Sequence, residues 1–181
     1  MYDFNRSVPH FYNQNKKLKI IGNIPYNITS QILFKLFDNA GIMDSAVLMM
    51  QKEVAKRLDA KPNTKDYGIL AIQTQVFTSP KLLFNVPPTA FFPKPRVDST
   101  VVKFVFHGNK HDIKNYSLFK ELVKASFGQR RKTMRNSLKK FFEDKKISFD
   151  KINFDFSRRA ESVTIDEYIA LAENLNELIL K

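Results

Sequence analysis

The chain has no cysteine at all. That absence excludes disulfides, cysteine-ligated zinc and thiol catalysis together. Glycine is scarce, five in 181 residues. None falls in a GxGxxG or GxxxxGK run, so no phosphate-cradling loop is encoded. No uninterrupted apolar stretch approaches the roughly 20 residues a membrane helix needs. The opening "MYDFNRSVPHF" lacks the apolar segment of a secretory signal. His10, His107 and His111 show no metal-ligand spacing with carboxylates. A cytoplasmic protein with neither metal nor membrane partner is the simplest expectation.

Acidic residues are also in short supply. There are 30 Lys+Arg against 18 Asp+Glu, a net charge of +12, which points to a polyanionic partner. The excess is clustered: Lys120–Lys146 holds ten basic residues and three acidic ones, whereas Asn153–Lys181 holds three and six. Nucleic acid accounts for such clustering better than solubility alone does. With 43% hydrophobic and 27% charged residues the composition is that of a globular protein. The length suffices for one sizeable core, or for a core with a satellite domain.

The pattern of apolar residues predicts a short buried strand at Lys19–Gly22, then a helix over Thr29–Asp38 with Ile32, Leu33, Leu36 and Phe37 on one face. A strand follows at Ser45–Met50 and a helix from Gln51 to about Ala60; Gly68–Phe77 is ambiguous by periodicity alone, and its length favours a helix. "KLLFNV" and "STVVKFVFH" read as two strands pairing antiparallel, joined by the proline-rich "PPTAFFPKPRVD". Beyond Gly108 the period is helical throughout: Tyr116–Phe127, stopped by Gly128, then Gln129–Asp144 and Thr164–Leu180. Two domains are therefore expected, 1–107 and 108–181: an α/β layer and a small all-helical domain.

Three stretches carry candidate chemistry. "NIPY" (Asn23–Tyr26) follows directly on the first strand, and α/β sheets place ligands at the carboxyl ends of their strands. The exocyclic amine of adenine is a poor nucleophile because its lone pair is delocalised into the ring. Two acceptors set against its hydrogens, the Asn23 side-chain oxygen and the Pro25 carbonyl, favour a tetrahedral nitrogen and aim its lone pair at an electrophile. Tyr26 can stack on an extruded base. The same four residues are also ordinary turn punctuation. In the proline-rich loop, Phe91 can cover the other face of that base while Lys94 and Arg96 meet phosphates; the alternative is a core Phe in a loop whose prolines protect an edge strand. In "SFGQRRKTMRNSLKKFF", helical spacing puts Arg131, Arg135 and Lys139 on one face with Lys132 beside them. Phe127, Met134, Leu138 and Phe141 then form the core stripe. That basic face is either a phosphate track or solvated surface.

Five collinear blocks, "GNIPYNITSQILFKLF", "LMMQKEVAKRL", "VPPTAFFPKPRVDSTVV", "SFGQRRKTMRNSL" and "RAESVTIDEY", resemble the KsgA (RsmA) family of small-subunit rRNA adenine dimethyltransferases, relatives of the Erm resistance methylases. NIPY alone also resembles the NPPY and DPPY motifs of DNA adenine methylases. The resemblance implies the C-terminal part of a Rossmann-like methyltransferase sheet followed by a helical domain. It implies S-adenosyl-L-methionine as methyl donor, and two adjacent adenosines of small-subunit rRNA, in a pre-30S particle, as substrate. Asn23 inherits contact with donor and target amine, and Ile24 stands where the family usually has Leu. Tyr26 and Phe91 take the base-stacking positions; Arg130, Arg131, Lys132 and Arg135 belong to the part that contacts the ribosome. The family's glycine-rich donor loop and the acids that hold the donor are not found in these residues. The expectation is an N-terminally truncated enzyme lacking its main donor pocket. The alternative is a non-catalytic rRNA-binding module.

Overall fold

The computed structural model describes residues 17–108 and 110–180; the expectations resting on the first sixteen residues, His10 included, lie outside them. The chain divides into two compact units. One comprises the described residues up to Ala55 together with Phe77–Gly108; the other comprises Lys56–Val76 and the described residues after Asn109.

The first unit is built on a four-stranded sheet: β1 (Leu18–Asn23), β2 (Met43–Gln51), β3 (Thr78–Val86) and β4 (Ser99–Phe106). Their spatial order is β1-β2-β4-β3. β1 runs parallel to β2, with Asn23 opposite Met49, while β4 is antiparallel to both β2 and β3. In β2 the side chains of Met43, Ala46, Leu48 and Met50 are buried, and in β4 those of Val102, Phe104 and Phe106. This alternation sends one face of the sheet into the core. Helix α1 (Thr29–Asp38) buries Thr29, Leu33, Leu36 and Phe37, each apolar side chain being worth about 1.5–3 kcal/mol. Phe37 stacks on Phe77 with ring centroids 6.1 Å apart. The Asn39 side-chain amide donates to the Lys35 carbonyl at 2.8 Å and closes the last turn. Helix α2 (Lys52–Arg57) follows β2 without a break.

The second unit carries α3 (Ile69–Phe77, all but its last residue), α4 (Tyr116–Phe127), α5 (Met134–Asp144) and α6 (Ile165–Ile179). The 56–76 segment belongs with these helices rather than with the sheet domain to which sequence position assigned it. The bonds responsible are long-range. Tyr67, fully buried, donates to the Val163 carbonyl at 2.9 Å, and the Asn63 amide donates to the Glu161 carbonyl at 2.8 Å. Tyr67 also meets Phe127 edge-on, with centroids 6.3 Å apart. Burial pushes the Tyr67 phenol well above its usual range, as it does that of Tyr168.

Two of the expected details differ. Periodicity predicts one helix over 129–144, yet α5 begins only at Met134. Thr133 is its N-cap, accepting from the Asn136 amide, and the amides of Met134 and Arg135 are taken by the carbonyls of Arg158 and Phe156 at 2.7 and 2.9 Å. Those strand-like bonds, with the Thr133–Arg159 bridge, satisfy the orphan donors of the first turn and fix where the helix starts. Its buried stripe is Met134, Leu138 and Phe142, with Phe141 and Phe127 only half-buried. Phe142 stacks on Phe149 at 4.0 Å and meets Phe156 edge-on at 5.5 Å.

The capping box expected at the start of α6 is present, with the Thr164 side chain on the Glu167 amide and the Glu167 carboxylate on the Thr164 amide. Arg158 adds a bidentate pair to the same carboxylate, at 2.5 and 3.1 Å, and donates to the Ser162 carbonyl. The Arg158 hydrogen bonds, aided by those from Thr164 and opposed by partial burial, hold the Glu167 carboxyl down at about 2.

Candidate target-base site

β1 ends at Asn23 because Pro25 two residues on has no amide to offer a ladder; the last ladder-like bond is the Ile24 amide to the Met49 carbonyl, 3.3 Å. Ile24 buries its side chain while Asn23 and Pro25 remain exposed and Tyr26 half-buried. The chain then enters a single 3-10 turn at Tyr26–Ile28 and runs into α1. The carboxyl end of the strand therefore presents a polar amide, a stiff backbone corner and an aromatic ring together.

The proline-rich connection from β3 to β4 supplies the opposite wall. A 3-10 turn over Pro88–Ala90 closes through the Ala90 and Phe91 amides, which donate to the Pro87 and Pro88 carbonyls. Phe91 is half-buried, whereas Phe92, Lys94 and Arg96 are exposed. Two clamps fix the loop's exit. The Lys52 amide donates to the Asp98 carbonyl at 3.0 Å with the Lys52 ammonium 3.3 Å from the Asp98 carboxylate, and the hydroxyls of Tyr26 and Ser99 share a hydrogen bond of 2.6 Å. Ser99 is fully buried, so the Tyr26 ring is held by a partner that cannot itself move.

Asn23, Ile24, Pro25 and Tyr26 on one side and Phe91, Phe92, Pro93 and Pro95 on the other line an open concavity of about 330 Å³. Asn23, Pro25, Tyr26 and Phe91 are thus brought to one place, as expected. The backbone acceptor requires correction. The Pro25 carbonyl already accepts from the Ile28 amide at 3.2 Å and from the Thr29 hydroxyl at 3.3 Å, so both its lone pairs are engaged in the turn. The Ile24 carbonyl, one residue earlier, accepts no hydrogen bond among the described residues. The Asn23 side chain likewise makes none there. Ser99 and the Ile24 carbonyl were not singled out from the sequence. The available signal for Ser99 was its place in the "VDST" run, directly after the Asp98 that closes the loop.

In the second unit the single helical face expected of Arg131, Arg135 and Lys139 is not formed, because Arg131 lies ahead of α5 while Arg135 and Lys139 lie on it. Arg130, Arg131 and Lys132 precede α5, and Arg135 lies on it. Arg130 is committed internally: its guanidinium donates to the Glu161 carboxylate at 3.2 Å and to the Tyr67 carbonyl at 3.3 Å, and also to the Lys65 carbonyl. Arg131 and Lys132 are exposed. Arg135 is exposed and lies 4.9 Å over the Phe149 ring. Among the described residues no group of three or more His, Asp or Glu side chains is arranged to hold a metal ion. No helix of these residues is long and apolar enough to cross a membrane.

Similarity to known proteins follows the same lines. The model of the ribosomal RNA adenine dimethylase family matches residues 2–177. Ribosomal RNA small subunit methyltransferase A of Francisella tularensis subsp. novicida is 38% identical over 182 residues, spanning 93% of this chain and 70% of that protein. Among solved structures, a dimethyladenosine transferase from Plasmodium falciparum superposes with a TM-score of 0.72 at 24% identity, covering 96% of this chain and 76% of that one. The 23S rRNA methyltransferase ErmE gives 0.54 at 20% identity, covering 91% and 67%. Both establish the fold: the mixed sheet with its helical C-terminal part is that of Rossmann-like rRNA methyltransferases. The family model over residues 2–177 and the 38% identity show that this chain belongs to the ribosomal RNA adenine dimethylase family.

Proposed function

We propose that the concavity at the end of β1 receives an adenine extruded from small-subunit rRNA and presents its exocyclic amine for dimethylation, two adjacent adenosines being modified. The observation that carries this reading is the convergence of an exposed amide, a carbonyl that accepts no hydrogen bond among the described residues and two aromatic rings at the carboxyl end of a sheet strand. The Asn23 side-chain oxygen and the Ile24 carbonyl accept the two amine hydrogens, turning the nitrogen lone pair out of conjugation. Pro25 acts through backbone stiffness, not through its carbonyl. The Tyr26 and Phe91 rings sandwich the base, and Lys94 and Arg96 meet the phosphates of the same strand. S-adenosyl-L-methionine, when bound, supplies the electrophilic methyl carbon, and Asn23 is the residue of this chain suited to touch it. Arg131, Lys132 and Arg135 contribute to holding the rRNA of the ribosomal precursor, in the cytoplasm.

The test is transfer of tritiated methyl groups from S-adenosyl-L-methionine to unmethylated small subunits. Incorporation at adenine that Asn23→Ala abolishes supports the reading. Binding to the subunit without incorporation even at saturating donor would make the chain a docking module instead. The 181 residues include no glycine-rich loop, so this chain by itself is expected to bind the donor weakly. Micromolar affinity by isothermal titration would contradict that.

A further inference from the structure

Phe92 has no structural employment. Its side chain is as exposed as an isolated residue, at 103% of the reference area. Yet it lines the rim of the concavity beside Phe91. Single exposed hydrophobics are common, but a whole phenyl ring on a stiffened loop is not a stray aliphatic. Pro93 and Pro95 stiffen the chain that follows Phe92, and the loop's exit is tied down by the Lys52–Asp98 and Tyr26–Ser99 clamps. The ring is therefore presented at little conformational cost to whatever binds. Beyond it, "FPKPR" sets Phe92, Lys94 and Arg96 at alternate positions with prolines between them, and all three are exposed.

Extruding a base leaves its neighbour on the strand with one face bare. An aromatic platform one residue away from the ring that covers the extruded base is suited to cover that face too, and stacking of this kind tolerates any base. We propose that Phe92 is a positioning residue that stacks on the nucleotide flanking the target adenine, with Lys94 and Arg96 following the phosphates of that same flank. The inference rests on the reading of the concavity as a target-base site. It adds that the strand is gripped at two consecutive bases and runs along the loop from Phe91 towards Arg96.

The experiment uses the full chain and a hairpin RNA with adjacent loop adenines, in two versions. One carries 2-aminopurine at the target position, the other at the flanking position. With the wild-type protein both signals change on binding. Phe92→Ala should leave the flanking probe severalfold brighter than wild type does, because it is unstacked. Affinity should fall about tenfold, while the target probe still responds. Phe92→Tyr should restore the quenching, which a merely steric or folding role would not require. An unchanged flanking signal in Phe92→Ala overturns the proposal. A target probe silent even with wild type overturns the target-base reading and this inference with it, and the two failures are told apart by whether the wild-type target probe responds.

Discussion

The hydrogen bond between Tyr26 and Ser99 makes a sharp test of how the Tyr26 ring is held. Its 2.6 Å length joins a half-buried phenol to a fully buried hydroxyl. The two deletions are therefore not equivalent. Tyr26→Phe strands the Ser99 oxygen where water does not reach, costing about 1–3 kcal/mol; Ser99→Ala leaves a phenol near the surface that can take up water, costing about 0.5–1.5 kcal/mol. Once Ser99 is alanine nothing is left stranded, so adding Tyr26→Phe should cost little more. A double-mutant cycle should then show coupling of about 1–3 kcal/mol, nearly the whole cost of Tyr26→Phe alone. Urea denaturation of the four proteins measures it. The functional counterpart is loss of preorganisation: either change should weaken binding of the adenine-bearing hairpin about two- to fivefold, the cost of re-ordering one ring. Effects that add within about 0.3 kcal/mol, or Ser99→Ala proving the more damaging substitution, would refute the claim that buried Ser99 fixes the ring.

The Arg158–Glu167 pair should make the second unit's stability depend on acid pH. The Glu167 carboxyl is held at about 2 against an ordinary 4.5, so its stabilisation is fully present above about pH 4.5 and is lost as pH falls through 2. With that side chain 38% exposed, screening leaves about 1–2 kcal/mol. Thermal melts of Glu167→Gln should show a deficit at pH 6 that closes towards pH 2, and a constant deficit would contradict the assignment. Arg130→Ala should lower stability, because it frees the Lys65 and Tyr67 carbonyls, while leaving the salt dependence of RNA binding nearly unchanged. Arg131→Ala and Arg135→Ala should each reduce the magnitude of that salt slope by about one unit; unchanged slopes would make them ordinary solvated surface.

Local chemistry was legible where it is local. The strand at Lys19–Gly22, the helix over Thr29–Asp38 and the capping box at Thr164 and Glu167 follow from spacing within a few residues, and the structure places them there. Asn23, Tyr26 and Phe91 could be brought together because strand ends and proline-rich loops have predictable positions in an α/β layer. What sequence spacing could not carry was competition from distant backbone. Helical periodicity runs unbroken through Arg131, but carbonyls at Phe156 and Arg158 claim the amides that define the start of α5. Arg130 reads as a free cation until Lys65, Tyr67 and Glu161 surround it. The Pro25 carbonyl looks available until the Ile28 amide and Thr29 hydroxyl turn back onto it.

The excursion of Lys56–Val76 into the helical unit bears on how the molecule can be dissected. Because the chain changes unit after Ala55, again after Val76 and again after Gly108, no single cut yields two whole pieces. A polypeptide beginning after Gly108 would lack Tyr67. The Val163 carbonyl would then lose its donor, the Phe127 ring a neighbour and Arg130 two of its three acceptors. Evolutionary or laboratory shuffling of the helical part onto another sheet would have to carry α3 along as a separate insertion.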